Sequence, residues 1–162
     1  MASVNRLIND AIAAAQREDY LRALTIFLDV YGGDEHPPLV GTKAASGLSF
    51  FGLCLALVQN KYKNAIELCK RAIELEFYNG DHYVNLTRVY IAAGNRKKAL
   101  ETAEAGLKLL PEHDGLMAAR KAVGVRARPT VPFLDRKHPL NVTLGQKRHA
   151  SEVTAKERKK KP

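Results

Sequence analysis

Asn85 and Arg88 carry the most directed hydrogen-bonding chemistry in this chain, because they lie one helical turn apart in the stretch YVNLTRVYI. An amide and a guanidinium both supply oriented donors, so the pair could bind the backbone of an extended peptide or a carboxylate. The histidines form no comparable pair. Two metal ligands on one helical face would lie four residues apart, and no two histidines have that spacing. The pattern favours recognition over catalysis.

Motifs that mark enzyme active sites are missing from the sequence. It contains no glycine-rich phosphate loop and neither of the motifs GxSxG and HExxH. Cys54 and Cys69 lie within apolar helical patterns and no CxxC occurs, so we interpret both as buried thiols. We expect no catalytic residue, no metal site, no cofactor and no small-molecule substrate.

An internal repeat positions these residues. The stretches YKNAIELCKRAIELE and RKKALETAEAGLKLLP align on Ala65 and Ala99, which gives a period of 34 residues. A third copy, DYLRALTIFLDV, aligns through Ala23. It lies 42 residues before Ala65, and we assign the extra eight residues to an enlarged loop at 31–47, which is rich in Gly and Pro.

Each copy reads as a hairpin of two helices. In the last copy Tyr83, Leu86 and Tyr90 recur at helical spacing, and Pro111 ends the second helix because its ring nitrogen cannot donate the next hydrogen bond. Small residues mark the places where two helices of a hairpin cross, since larger side chains would hold the backbones apart. The predicted crossing residues are Gly52, Ala65, Thr87 and Ala99, with Gly106 at the crossing toward the following helix.

The 34-residue period, the small residue in the first helix, Tyr90, Ala99 and Pro111 together resemble the tetratricopeptide repeat (TPR) family over residues 4–113. A basic, Pro-containing tail makes the chain similar to small bacterial-type members. The resemblance implies an all-α fold, in which antiparallel helical hairpins stack as a short right-handed solenoid with a C-terminal capping helix. Phe77 departs from the family pattern, because it stands where the proline is expected.

The chain is expected to consist of a repeat domain at 1–124 and a flexible, basic tail at 125–162. Within the domain we place the three repeats and the capping helix at about 4–33, 45–78, 80–113 and 114–123. Asp114 is the expected N-cap of that last helix. The domain carries 15 Lys and Arg against 14 Asp and Glu, whereas the tail carries 11 against three, so nearly all of the net charge of +9 lies in the tail.

The resemblance implies a concave groove, lined by the first helices of the hairpins, that binds a peptide or helix of a partner protein. Ser49 and Leu53 stand where family members that clamp a carboxylate carry cations, so we expect an apolar groove with one polar corner. Carried over position by position, the groove residues are Ile8, Asn9, Ile12, Ser49, Leu53, Val84, Asn85, Arg88 and Ile91.

Two alternatives for the partner stay open. In one, the tail binds nucleic acid or an anionic membrane through Lys156, Arg158, Lys159, Lys160 and Lys161, or docks on protein through Phe133 and Leu134. In the other, the chain forms a homo-oligomer that covers the exposed ends of the repeat array. Because the N-terminus lacks a signal-peptide pattern and no apolar stretch is long enough to span a membrane, we expect a cytoplasmic protein.

Overall fold

The computed structural model describes residues 2–32, 37–124, 139–140, 142–144 and 146–147. The chain divides into two compact units, residues 1–124 and residues 125–162, and the described residues of the second unit are helical. The described part of the first unit contains α-helices and no strand, which confirms the all-α fold. The helices are α1 (Ala2–Gln16), α2 (Tyr20–Tyr31), α3 (Ala44–Gln59), α4 (Tyr62–Leu75), α5 (Gly80–Ala92), α6 (Arg96–Leu109) and α7 (Asp114–Val123).

These helices stack as three antiparallel hairpins, α1–α2, α3–α4 and α5–α6. The first helix of each later hairpin packs against both helices of the hairpin before it: α3 contacts α1 and α2, and α5 contacts α3 and α4. α7 contacts α5 and α6 in the same way, as the first helix of a further repeat would. The expected capping helix is therefore confirmed.

Side chains at the helix starts accept hydrogen bonds from free backbone N–H groups of the first turn. In α2, α5 and α6 these side chains are Asp19, Asn79 and Asn95. In α7 the N-cap is His113, whose Nδ1 accepts from the backbone N–H of Leu116 at 3.2 Å. The expectation that Asp114 caps this helix is wrong, because Asp114 is the first residue of α7. Its negative charge there stabilises the helix, since the N-terminus of a helix carries a partial positive charge.

α3 is the centre of the domain. Its sequence is apolar on every side, and every residue from 45 to 56 except Ser46 is buried. It packs against α1, α2, α4 and α5. On the side of the first hairpin, the rings of Phe27, Tyr31 and Phe51 form a cluster with centroids 5.4–5.9 Å apart. α3 therefore joins the first hairpin to the third.

The loop between the first two hairpins is shorter than the predicted 31–47. Tyr31 still belongs to α2, and α3 begins at Ala44. Gly47 suggested a loop, but it lies inside α3. A Cβ at this position would overlap the Tyr31 hydroxyl and approach Ile8, which is why the residue is a glycine. Close packing of helices, rather than a turn, explains this glycine.

Two glycines lie at the predicted helix crossings. A Cβ on Gly52 would be 2.8 Å from the backbone oxygen of Ala65. A Cβ on Gly106 would be 2.9 Å from both Leu116 in α7 and Tyr83 in α5. Neither space admits a larger side chain, so the predictions for Gly52 and Gly106 are confirmed.

We expect Ala65→Leu and Ala99→Leu each to lower the free energy of unfolding by about 1–3 kcal/mol, because both alanines are fully buried at helix crossings and the larger side chain overpacks them. Thermal and urea unfolding followed by circular dichroism measure this effect. Ala118→Leu is the control, since Ala118 is exposed on α7. Unfolding midpoints that match that control for both variants would mean that these positions are not tight crossings.

Candidate partner-binding groove

The predicted groove residues all lie on α1, α3 and α5, the first helices of the three hairpins. These helices are neighbours, because α3 packs on α1 and α5 packs on α3, and α7 continues the row beside α5. The two-helix repeat thus places one helix of each hairpin in a common layer. A partner bound to this layer would contact side chains from several repeats at once.

Five of the nine predicted residues have buried side chains: Ile8, Ile12, Ser49, Leu53 and Asn85. They contribute to the packing of the first helices against one another. Asn9 and Ile91 are exposed, while Val84 and Arg88 are partly buried. Leu57, one helical turn beyond Leu53 on α3, is exposed as well. In this structure a partner could reach these more accessible side chains.

Asn85 makes its hydrogen bond inside the domain. Its Nδ2 donates to the Ser49 hydroxyl at 3.0 Å, and both side chains are buried. The Cys69 thiol in turn contacts the Ser49 backbone carbonyl at 3.4 Å. Buried polar groups need hydrogen-bond partners. The contacts among these three residues therefore fix the positions of α3, α4 and α5 along one another. Asn85 therefore stabilises the repeat stack.

Arg88 reaches from α5 to the turn that joins α1 and α2. Its guanidinium donates to Glu18 Oε1 at 3.3 Å and to the Tyr20 hydroxyl. It also lies 5.5 Å from the centroid of the Tyr20 ring, within cation–π distance. About a third of the Arg88 side chain, 36%, stays exposed, so one cation is held in place and still accessible.

Sequence reasoning missed Glu18 and Tyr20 as partners of Arg88. They lie 70 and 68 residues away in the chain, and the contact crosses the whole stack from the third hairpin to the first. Burial raises the pKa of Tyr20 above its ordinary value, and the Arg88 guanidinium opposes that shift. No local pattern indicates such a contact.

His82 is a second residue whose environment the sequence did not reveal. Its side chain is fully buried at the start of α5, and its Nε2 lies 3.2 Å from Glu76 Oε2. Burial lowers the pKa of His82, and the Glu76 and Asp81 carboxylates oppose this shift. The residue is therefore a neutral interior histidine that donates to Glu76.

The two cysteines are buried free thiols, as predicted. Burial raises the pKa of both Cys54 and Cys69 to about 12, so neither forms a reactive thiolate near neutral pH.

No group of His, Cys, Asp and Glu side chains in the described part of the chain could hold a metal ion. Within the same residues no helix is both long and apolar enough to cross a membrane. The tail residues Phe133, Leu134, Lys156, Arg158, Lys159, Lys160 and Lys161 lie outside the described residues.

Comparison with known proteins agrees with this architecture. The family model of the tetratricopeptide repeat matches residues 56–122, which run from the end of α3 to α7. Residues 56–122 therefore carry the tetratricopeptide repeat. A search of curated proteins finds no significant match.

Solved TPR domains share the fold of this chain. The Sgt2 TPR domain from Aspergillus fumigatus has a TM-score of 0.56 and 14% identity, and the match covers 86% of this chain and 93% of that one. The second TPR domain of human RPAP3, in complex with the HSP70 peptide SGPTIEEVD, has a TM-score of 0.55 and 16% identity, covering 77% and 98%. The Arabidopsis OM64 TPR domain has a TM-score of 0.54 and 15% identity, covering 76% and 96%. At these identities the similarity establishes the fold alone.

His82 should make the stability of the TPR domain depend on pH. Above about pH 6.5 histidine is neutral in both the folded and the unfolded chain. Below that pH the unfolded chain binds a proton that the folded chain excludes, because burial lowers the pKa of His82. We expect the free energy of unfolding to fall as the pH drops below 6.5, and urea denaturation from pH 5 to 8 measures it.

The matched variant is His82→Gln, which keeps a donor for Glu76 and cannot titrate. Its stability should fall less over the same pH range than that of the wild type. Parallel curves for the two proteins would assign the pH dependence to other groups.

Proposed function

We propose that the TPR domain is an adaptor, scaffold or assembly module that holds a peptide or helix of another protein in the groove formed by α1, α3 and α5. The family match and the TPR-domain neighbours support protein–protein interaction as the general role, and the fold is that of a non-enzymatic scaffold family. One neighbour is described with a bound HSP70 peptide, which supports a peptide as the form of the partner.

The observation that carries the proposal is the position of Arg88. It is an ordered, accessible cation on a surface that also exposes Ile91 on the same face of α5 and Leu57 on the neighbouring α3. A directed donor beside apolar side chains is the usual composition of a site that binds a peptide specifically. The chemistry fits an apolar segment that carries a single acidic or carbonyl group for Arg88.

Glu18 occupies Arg88 in the free chain, so binding would be an exchange. The Glu18 side chain is 72% exposed, and an ion pair so open to water contributes little to stability. A carboxylate of the partner could replace Glu18 at small cost, while Tyr20 keeps the guanidinium in position. Ser49 and Leu53 are buried and supply no cation, so Arg88 is the cation that we propose to recognise a carboxylate of the partner.

Arg88→Ala should weaken binding of the protein partner at least about tenfold, because a charge-assisted hydrogen bond to a carboxylate contributes roughly 1.5–3 kcal/mol. The experiment captures partners from native lysate with the full chain, identifies them, and measures the affinity of the purified partner for wild type and variant. Arg6→Ala is the control, since Arg6 is an exposed arginine that pairs with Asp10 within α1. Equal binding by Arg88→Ala would move the site away from this groove.

The charge distribution supports a second candidate function, polyanion binding through the tail. Residues 125–162 carry a net charge of +8, calculated as 11 basic minus three acidic residues. Such binding weakens steeply with salt, whereas binding in the groove, through one cation and apolar side chains, should depend on salt much less. Parallel captures with residues 1–162 and 1–124, washed at low and high salt after nuclease treatment, separate the two. Partners that require the long bait and leave in high salt would favour the tail over the groove.

A further inference from the structure

The turns after α4 and α6 are equivalent in the repeat, but their sequences share only the first leucine. The segment 75–79 reads LEFYN and the segment 109–113 reads LLPEH, so Phe77 takes the place of Pro111. The two turns are neighbours, because a Cβ on Gly80 would overlap the imidazole ring of His113. Together these two segments form one surface, which we name the turn patch.

Large apolar side chains of the turn patch face solvent. Phe77 is 52% exposed and Tyr78 is 65% exposed, and their ring centroids are 4.0 Å apart. Leu75 and Leu109, which belong to the same two segments, are exposed as well. The two rings pack on each other and contribute little to the core. A cluster of exposed aromatic and aliphatic side chains is typical of a surface that binds a partner.

The second segment of the turn patch forms a cavity. It has a volume of about 390 Å³ and is lined by Leu109, Leu110, Pro111, Glu112 and His113. Its walls are mainly aliphatic, with the Glu112 carboxylate and the His113 ring as polar groups. Such a cavity can accept one aliphatic or aromatic side chain of a ligand and a cation beside it.

The charge around the turn patch is negative. Residues 74–82 and 108–114 contain the carboxylates Glu74, Glu76, Asp81, Glu112 and Asp114, against a single basic residue, Lys108, with histidines taken as neutral. Glu76 already accepts hydrogen bonds from Asn79 and His82, and Asp81 Oδ1 lies 3.9 Å from His113 Nε2. Glu74, Glu112 and Asp114 are exposed and could act on a ligand. An acidic rim around apolar side chains complements a ligand with the opposite charge.

We propose that the turn patch is a second protein-binding surface, which takes a linear segment of another protein with an aromatic or aliphatic anchor flanked by Lys or Arg. The anchor enters the cavity beside Pro111, Phe77 and Tyr78 cover it, and the basic flanks face Glu112 and its neighbouring carboxylates. This site is separate from the groove proposed above.

The two surfaces lie at opposite ends of the helices. Glu18 lies in the turn within the first hairpin and Tyr20 begins the helix after that turn, whereas the turn patch consists of turns that follow a hairpin. In a stack of antiparallel hairpins these two kinds of turn are at opposite edges. A ligand of one surface therefore leaves the other free.

Three labelled peptides test the proposal against the full chain by fluorescence anisotropy. KRLFLKR has the anchor and the basic flanks, EDLFLED reverses the charge of the flanks, and KRSGSKR removes the anchor. We expect KRLFLKR to bind at least about tenfold more tightly than either of the others, and its binding to weaken as salt increases. Equal binding of the first two peptides, or no binding of KRLFLKR, would overturn the proposal.

Substitutions locate the site. The double variant Phe77→Ser, Tyr78→Ser should weaken KRLFLKR at least about thirtyfold, as expected when two anchor side chains are lost. Glu112→Lys should weaken it about tenfold and reduce its salt dependence. Leu21→Ser is the matched control, because Leu21 is 67% exposed on α2, away from the patch. All four residues are exposed, so the unfolding midpoints should stay close to that of wild type.

Further measurements separate this proposal from its competitors. Arg88→Ala should bind KRLFLKR as tightly as the wild type does, so the test of the turn patch does not depend on whether the groove binds a partner. If residues 1–124 bind the peptide and the full chain does not, the tail of the chain itself occupies the patch and the assignment to another protein fails. Self-association that is lost in Phe77→Ser, measured by analytical ultracentrifugation, would assign the patch to a second copy and likewise overturn it.

Discussion

The close approach of α3 and α4 at Gly52 and Ala65 is the constraint on which the rest of the domain depends. A Cβ added at Gly52 would lie only 2.8 Å from the Ala65 carbonyl oxygen, so the two backbones meet at the limit of contact. This approach lets α3 bury all of its sides against four helices, and the free energy of that burial supports the whole stack. A short repeat array has few interfaces, so each one carries a large share of the stability.

Polar groups inside this packing restrict how the groove can work. Ser49 and Asn85 satisfy each other between α3 and α5, which fixes the register of the two helices and removes both side chains from the groove surface. Arg88 remains as the ordered cation there, and it is also bound internally. Under the proposed function the groove is selective because it offers few polar groups, each with a defined orientation.

The sequence predicted the repeating elements well, because helical periodicity and small residues at crossings act locally. Gly52, Gly106 and the capping helix were found in this way. It was less informative on contacts that cross repeats: the Arg88–Glu18 pair spans 70 residues, and the burial of Ser49 and Leu53 depends on how closely the first helices pack. Gly47 was misread as a loop residue, since one sequence cannot tell a glycine required by a neighbouring helix from one required by a turn. The groove residues and the domain limits stay predictions.

The bridge from Arg88 to the first hairpin has a consequence for cooperativity. Because the same guanidinium would bind the partner and hold the α1–α2 turn, the two contacts compete, and their free energies are linked. A ligand that displaces Glu18 loosens the first hairpin from the third. By reciprocity, a change that strengthens the contact between Glu18 and Arg88 would lower the affinity of the groove for an acidic ligand. Under the proposed function the first repeat would be a weak intramolecular competitor for the groove, because the Glu18 side chain is 72% exposed.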